Sequence, residues 1–160
     1  MDYIRVTKEN IDREHICCAM SGKQSLAKKE WLKQRFGEGL VFYRSAERGK
    51  CFIEYIPAEN AWVPIDADGY LYINCLWVSG SLKGHGYSSE LLEECLRDAK
   101  AQGKNGVCIL CAEAVSYTHL PLQTLRKAQF QPGGGRRQPH EAHEHCHEAA
   151  VLSAVPAGLY

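Results

Sequence analysis

Hydrophobic and polar positions change period several times along this chain up to residue 113, and no regular pattern continues after it. Tyr3, Ile4, Arg5 and Val6 read as a short first strand, and Asp12 is placed to cap a helix running on to Met20. Ser21, Gly22 and Lys23 interrupt it. A second helix is predicted over 25–36, with Leu26, Trp31, Leu32 and Phe36 as apolar positions and Lys28, Lys29, Lys33 and Arg35 facing water; Gly37 and Gly39 end it. Residues 40–44 and 51–57 read as two strands of a hairpin around the polar turn 47–50. Residues 62–65 extend or bulge that sheet, irregularly because of Pro64. Residues 70–78 are apolar at nearly every position, as in a central strand covered on both faces. A glycine turn follows, then a helix over 87–102 with Leu91, Leu92, Cys95 and Leu96 as its stripe and Gly103 as its stop. Residues 107–111 form the next strand, parallel to 70–78 through a right-handed crossover. Beyond 114 the pattern offers only short helices over 122–130 and 148–155, and this tail is not expected to share the core.

Composition narrows the function classes. A chain of 160 residues suits one globular domain with a real core. Lys+Arg and Asp+Glu balance at 19 each, so no global field draws the chain to nucleic acid or to an acidic membrane. The polar first ten residues lack the apolar run of a signal peptide, and no stretch reaches the length of a membrane span, so the expected location is the cytoplasm. Of the eight cysteines, Cys51, Cys75, Cys95, Cys108 and Cys111 sit in strand or helix patterns and behave as small buried hydrophobes. Cys108 and Cys111 form a Cys-x-x-Cys, but inside a strand-like run rather than at a helix start, where a redox thiolate would be stabilised.

The segment Lys83-Gly84-His85-Gly86-Tyr87-Ser88 carries the candidate chemistry. Glycines accept positive φ and let backbone approach a ligand. The first amides of the following helix have no internal acceptor, and the helix dipole adds partial positive charge, so the turn is a phosphate site. Lys83 would add a full charge and Ser88 a hydroxyl. The bland alternative is a plain connecting turn. The motif does not fix which phosphate ligand binds: Ser89 stands where a Rossmann turn wants glycine, and no Gly-Lys-Ser/Thr is present.

Over residues 1–113 the chain resembles the GNAT superfamily of N-acetyltransferases, most closely its YoaP-like branch. The resemblance rests on the early helices, the 40–57 hairpin, the run Tyr72-Ile73-Asn74-Cys75-Leu76-Trp77-Val78-Ser79-Gly80, the glycine turn, and Leu91-Leu92-Glu93-Glu94-Cys95. The family turn is Gln/Arg-x-x-Gly-x-Gly/Ala; Gly84 and Gly86 match it, whereas Ser81 replaces Gln or Arg. The resemblance implies an α/β (α+β) fold, a mixed and mostly antiparallel sheet with helices on both faces and with its C-terminal part missing. It also implies acetyl-CoA as cosubstrate, entering a splay between strands 70–78 and 107–111, and an amine of unknown identity as acceptor. No metal is required. Backbone groups of Leu76, Trp77 and Val78 would pair with the pantetheine arm, and amides of Lys83, Gly84, His85, Gly86, Tyr87 and Ser88 would hold the pyrophosphate. Glu54 is the candidate general base, where burial between Ile53 and Tyr55 would favour proton uptake; the alternative is a solvent-facing strand carboxylate. The family's tyrosine acid has no counterpart, since the surroundings of Tyr117 do not match. A noncatalytic coenzyme-binding module is the rival reading.

After Glu113 the family's next helix and final strands are not expected. Val115-Ser116-Tyr117-Thr118-His119-Leu120 resembles the translated end of a sequencing-library adapter, so residues 114–160 read as a low-order tail of separate origin. His140, His143, His145, Cys146 and His147 are metal-ligand types at close spacing, but nothing around them would orient ligands, so any metal binding there is adventitious.

Overall fold

The computed structural model describes residues 1–16, 22–47, 49–63, 65–112, 131–132 and 147–153, the last two segments and 111–112 as backbone only. Strands β1 (Tyr3–Val6), β2 (Val41–Ser45), β3 (Cys51–Pro57) and β4 (Tyr70–Val78) form an antiparallel meander. Helix α1 (Gly22–Arg35) lies between β1 and β2 in the chain, and α2 (Tyr87–Ala101) joins β4 to β5 (Gly106–Ala112), which runs parallel to β4. With β6 (Gln131–Pro132) and β7 (His147–Ser153) the sheet order is β1-β2-β3-β4-β5-β7-β6. This is the mixed, mostly antiparallel architecture expected.

Both faces of the sheet are covered, which explains why β3 and β4 carry apolar residues at nearly every position. Cys51, Ile53 and Tyr55 pack with Leu91, Leu92, Cys95 and Ala99 of α2, while Phe52 and Ile56 pack with Leu32 of α1 and with Ile11 and Ile16. Burying such side chains is worth about 1.5–3 kcal/mol each for the larger ones. A bulge interrupts β3–β4: Glu54 pairs Cys75, but Tyr55 pairs Ile73, so Asn74 is the extra residue. The bulge lets Ile73 and Leu76, three positions apart, both face α2.

Several expectations give way to the structure. The helix expected up to Met20 is replaced, as far as residue 16, by consecutive turns. Asn10 explains them: its Oδ1 accepts from the Thr7 amide at 2.8 Å and its Nδ2 donates to the Arg5 carbonyl at 2.9 Å, a local alternative to helix. Residues 62, 63 and 65 join no strand, and Trp62 is 75% exposed. Helix α1 and the turn after it pack Trp31, Leu32 and Phe36 inward as predicted, but the helix departs from the prediction at its two ends. Leu26 is 68% exposed, whereas Arg35 is 5% exposed. Finally, the predicted helix at 148–155 is the strand β7, paired antiparallel along β5 from Gly106↔Ser153 to Ala112↔His147. An apolar strand cannot leave its edge amides and carbonyls unpaired, and β7 satisfies them. That segment therefore lies in the sheet, contrary to the expectation for the tail. The short helix predicted over 122–130, and residues 113–130 generally, lie outside the described residues.

Candidate active site

Two neighbouring features of β4 make the site. The first is its edge toward β5. The parallel ladder comprises Tyr70↔Gly106, Leu71↔Val107 and Tyr72↔Cys108, although β4 continues to Val78 and β5 to Ala112. Past Tyr72 the β4–β5 ladder ends, and β4 runs on to Val78 diverging from β5. On its other side this stretch is held by β3 through Ile53↔Leu76, Phe52↔Trp77 and Cys51↔Val78. The Leu76 side chain is buried against α2, and Trp77 lies beneath Lys50, whose Nζ is 4.7 Å from the ring centroid.

The second feature is the turn that ends β4. Gly80–Leu82 makes one tight 3-10 turn, closed by the Lys83 amide donating to the Gly80 carbonyl at 3.2 Å. The Lys83 amide is thus already used, a correction to its expected place in the phosphate cradle. Its side chain is exposed beside the turn. Gly84 and Gly86 both have φ of 83°, which L side chains rarely adopt, and a Cβ on either would meet nothing within 4 Å. The glycines are therefore required by conformation, and the space over them is open. Gly86 precedes α2, and its carbonyl accepts from Ser89 at 2.9 Å and Glu90 at 3.1 Å. Among the described residues, no backbone carbonyl takes the amides of Gly84, His85, Gly86, Tyr87 or Ser88. These five donors gather at the positive end of a 15-residue helix dipole, where an anion is favoured. His85 and Tyr87 stack at 5.6 Å beside them.

The sheet fixes this turn through α2. Tyr3 Oη donates to Glu90 Oε2 at 2.7 Å in the first turns of the helix, and Tyr55 Oη to Asp98 Oδ2 at 2.5 Å further along. Burial, reinforced by the carboxylate acceptor, pushes both phenols well above the ordinary tyrosine range, so both stay protonated donors.

Glu54 lies on the opposite face, 3% exposed, facing a cavity of about 520 Å³ between α1 and the sheet. Its surroundings are not the purely apolar ones expected. Lys28 Nζ stands 2.8 Å from Oε2, and Asn74 Nδ2 donates to Oε1 at 3.0 Å. Gln24, Lys28, Trp31 and Arg35 of α1 line one wall, Glu54, Asn74 and Cys75 the sheet side, and Ala61, Trp62 and Val63 the rim. Sequence reasoning missed this wall. Its signal was the spacing 24, 28, 31 and 35, which puts four residues on one helical stripe. Asn74 and Cys75 lie two and three residues past the last β4–β5 pair, so the cavity adjoins the start of the splay.

Residues 9–119 match the family described as Acetyltransferase (GNAT) family. The chain belongs to that family. An uncharacterized N-acetyltransferase, YoaP, of Bacillus subtilis (strain 168) is 57% identical over 111 residues, which are 67% of this chain and 44% of the relative. The chain therefore spans less than half the length of that relative. Among solved structures, aminoglycoside N-acetyltransferase AAC(6')-Iy in complex with CoA superposes with a TM-score of 0.58 at 14% identity, covering 89% of this chain and 99% of the other. An N-acetyltransferase from Staphylococcus aureus Mu50 gives a TM-score of 0.59 at 13% identity, covering 96% and 99%. These two likenesses concern the fold. GNAT acetyltransferases use acetyl-CoA, and the diverging parallel strands and the amide-lined turn lie in one continuous stretch of this GNAT chain. Tyr117 and the histidine tail at 140–146 lie outside the described residues. Among the described residues, no group of three or more His, Cys, Asp or Glu is placed to hold a metal ion, and no helix is long and apolar enough to cross a membrane.

Proposed function

We propose that this chain binds acetyl-CoA at the splay and the glycine turn and transfers its acetyl group to an amine. The observation carrying this reading is the open set of amides on Gly84, His85, Gly86, Tyr87 and Ser88, which follows the stretch of β4 that diverges from β5. Those amides hold the pyrophosphate, with the Lys83 side chain and the Ser88 hydroxyl alongside. Backbone groups of Leu76, Trp77 and Val78 pair with the pantetheine arm as a strand would. Bound acetyl-CoA supplies an activated thioester carbonyl. The acceptor amine, seated in the cavity on the α1 face, attacks that carbonyl carbon; the C–N bond forms, the C–S bond breaks, and the sulfur leaves as the CoA thiolate, which takes a proton from water. Glu54 takes the amine proton, directly or through a water, and Asn74 keeps its carboxylate oriented. Backbone donors at the developing oxyanion lower the barrier. We place this activity in the cytoplasm, where acetyl-CoA and reduced cysteines coexist.

A noncatalytic coenzyme-binding module is the second reading, favoured by one observation: Glu54 is already engaged by Lys28 at 2.8 Å. We assign residues 1–113 to the acetyltransferase part and 114–160 to a tail of separate origin, although 147–153 pairs along β5 and the family match runs to residue 119. On that assignment turnover is expected to be weaker than coenzyme binding. Calorimetry with CoA tests both readings together, and no binding by folded protein refutes both. Release of CoA thiol with a panel of amines separates them. Sequencing the locus across residues 110–125 tests the origin of the tail; an adapter-free native frame refutes a junction.

A further inference from the structure

We infer that the acceptor cavity selects an amine that also carries a carboxylate and an apolar body, of the apolar α-amino acid type, and disfavours polycationic amines. This rests on the acetyl-transfer reading above and specifies its second substrate. Three charged side chains line the cavity: Lys28, Arg35 and Glu54. Lys28 and Glu54 compensate each other at 2.8 Å, and Arg35 is paired from outside the lining by Glu38. Arg35 is 5% exposed; its carboxylate partner Glu38, at 2.5 Å, has a side chain 43% exposed, and Nη2 donates to the Asn60 carbonyl at 3.0 Å. Arg35 Nε has no hydrogen-bond partner. A buried donor left unmade is costly, and an anionic group offered from the cavity removes that cost. Arg35 lines the cavity beneath Trp62, whose ring centroid is 4.2 Å from the guanidinium carbon and which is itself 75% exposed.

The same geometry works against cations. A polycationic amine needs bare carboxylates or open indole faces. Here the Glu54 carboxylate is paired, and each indole already carries a protein cation: Lys28 Nζ lies 3.9 Å from the Trp31 centroid, and Arg35 stacks on Trp62. The remaining wall is apolar, from Trp31, Ile56, Ala61, Trp62 and Val63. A cavity of about 520 Å³ is in the size range of small-molecule sites. An amine with an apolar body therefore buries that body against the indoles, presents its carboxylate to Arg35, and leaves its nitrogen toward Glu54 and the splay.

Tryptophan fluorescence reads occupancy without requiring turnover, because Trp31 and Trp62 line the cavity. Protein saturated with CoA is titrated with leucine, with leucinamide, which lacks the carboxylate, and with spermidine. Leucine is expected to give a saturable change with a dissociation constant about tenfold below that of leucinamide, and spermidine to bind weakest. In Lys28→Gln protein, checked for folding by circular dichroism, the leucine-over-leucinamide ratio should persist, since the carboxylate is read by Arg35. Leucinamide or spermidine binding as tightly as leucine overturns the inference while coenzyme binding stands, and so does the absence of a saturable response to any of the three. Failure to bind CoA in calorimetry removes the acetyl-transfer reading itself, and the acceptor inference with it.

Discussion

Replacing Glu54 by Gln separates what this carboxylate does for the fold from what it does for chemistry. Glutamine keeps the shape and can still accept from Asn74 Nδ2, now 3.0 Å from Oε1, but it removes the charge facing Lys28. Breaking a fully buried ion pair by deleting one partner costs about 3–5 kcal/mol, because the other charge is stranded. Lys28 is not stranded: its side chain is 26% exposed and its ammonium keeps the Trp31 face at 3.9 Å. The loss should therefore fall to about 1–2 kcal/mol. For a chain of this size that lowers Tm by roughly 2–8 °C. If Glu54 also accepts the amine proton, kcat/KM falls by a further factor of about 10² to 10⁴, with the largest loss at neutral pH. Affinity for CoA should hold, since Glu54 lies on the α1 face away from the glycine turn. The assays are a thermal melt, calorimetry with CoA, and thiol release from acetyl-CoA at a series of pH values. Folded Glu54→Gln protein with activity within about threefold of the parent at every pH refutes the base role. An unchanged melt refutes the assigned worth of the ion pair.

Tyr55→Phe removes the donor to Asp98 from a fully buried ring and should cost about 1.5–3 kcal/mol in urea unfolding, the range for a hydrogen bond to a charged group; a loss below about 0.5 kcal/mol contradicts it. Gly86→Ala forces a side chain into φ of 83° with no clash to explain any effect, so it should cost about 1–2 kcal/mol and weaken CoA binding; unchanged calorimetry argues against the cradle. Alkaline pH should destabilise the fold, because burial pushes the Cys51 thiol to about 11 and Cys108 to about 12, above the ordinary 9.0. Below 9.0 both states hold the proton and stability is flat. Above it the unfolded thiols ionise first, so stability falls as pH rises toward 11 and 12. A urea midpoint that stays level from pH 8 to about 11 refutes this.

What the sequence disclosed depended on whether an element's partners were local. Strand β4 was legible to the residue because a run apolar at nearly every position from Tyr70 to Val78 admits little else. The start of α2 at Tyr87 was legible because Gly84 and Gly86 announce the turn, and the solved geometry needs them there. The face of α1 was legible at Trp31 and Leu32, and at Phe36 just past its end, but not at Arg35 and Lys28. Arg35 reads as a wet residue until its partners are known, and they are Glu38 and the Asn60 carbonyl, the latter 25 positions away. Lys28 likewise turns inward because Glu54, on another element, waits for it. Strand β7 was missed for a related reason: its pairing answers the open edge of β5, which no local pattern in 147–153 records.

The bulge at Asn74 ties the two halves of the site together. Were Asn74 paired one-to-one with β3 instead of bulging, every β4 side chain beyond it would exchange faces. Leu76 would then leave the α2 core and Trp77 would enter it. The bulge also falls two residues past the last β4–β5 pair, where the splay begins. From Cys75 to Ser79 the strand rises about 3.3 Å per residue, or about 13 Å in all. In the proposed binding mode an arm anchored at the glycine turn must lie extended along β4 to bring a reactive end to the cavity. The stretch of β4 beyond its ladder to β5 is what would hold it extended, as a partner strand holds its neighbour. A deletion of Asn74 should therefore damage acceptor chemistry far more than CoA binding at the turn, because it removes the donor to Glu54 while the β3 pairing of 75–78 can stay in place.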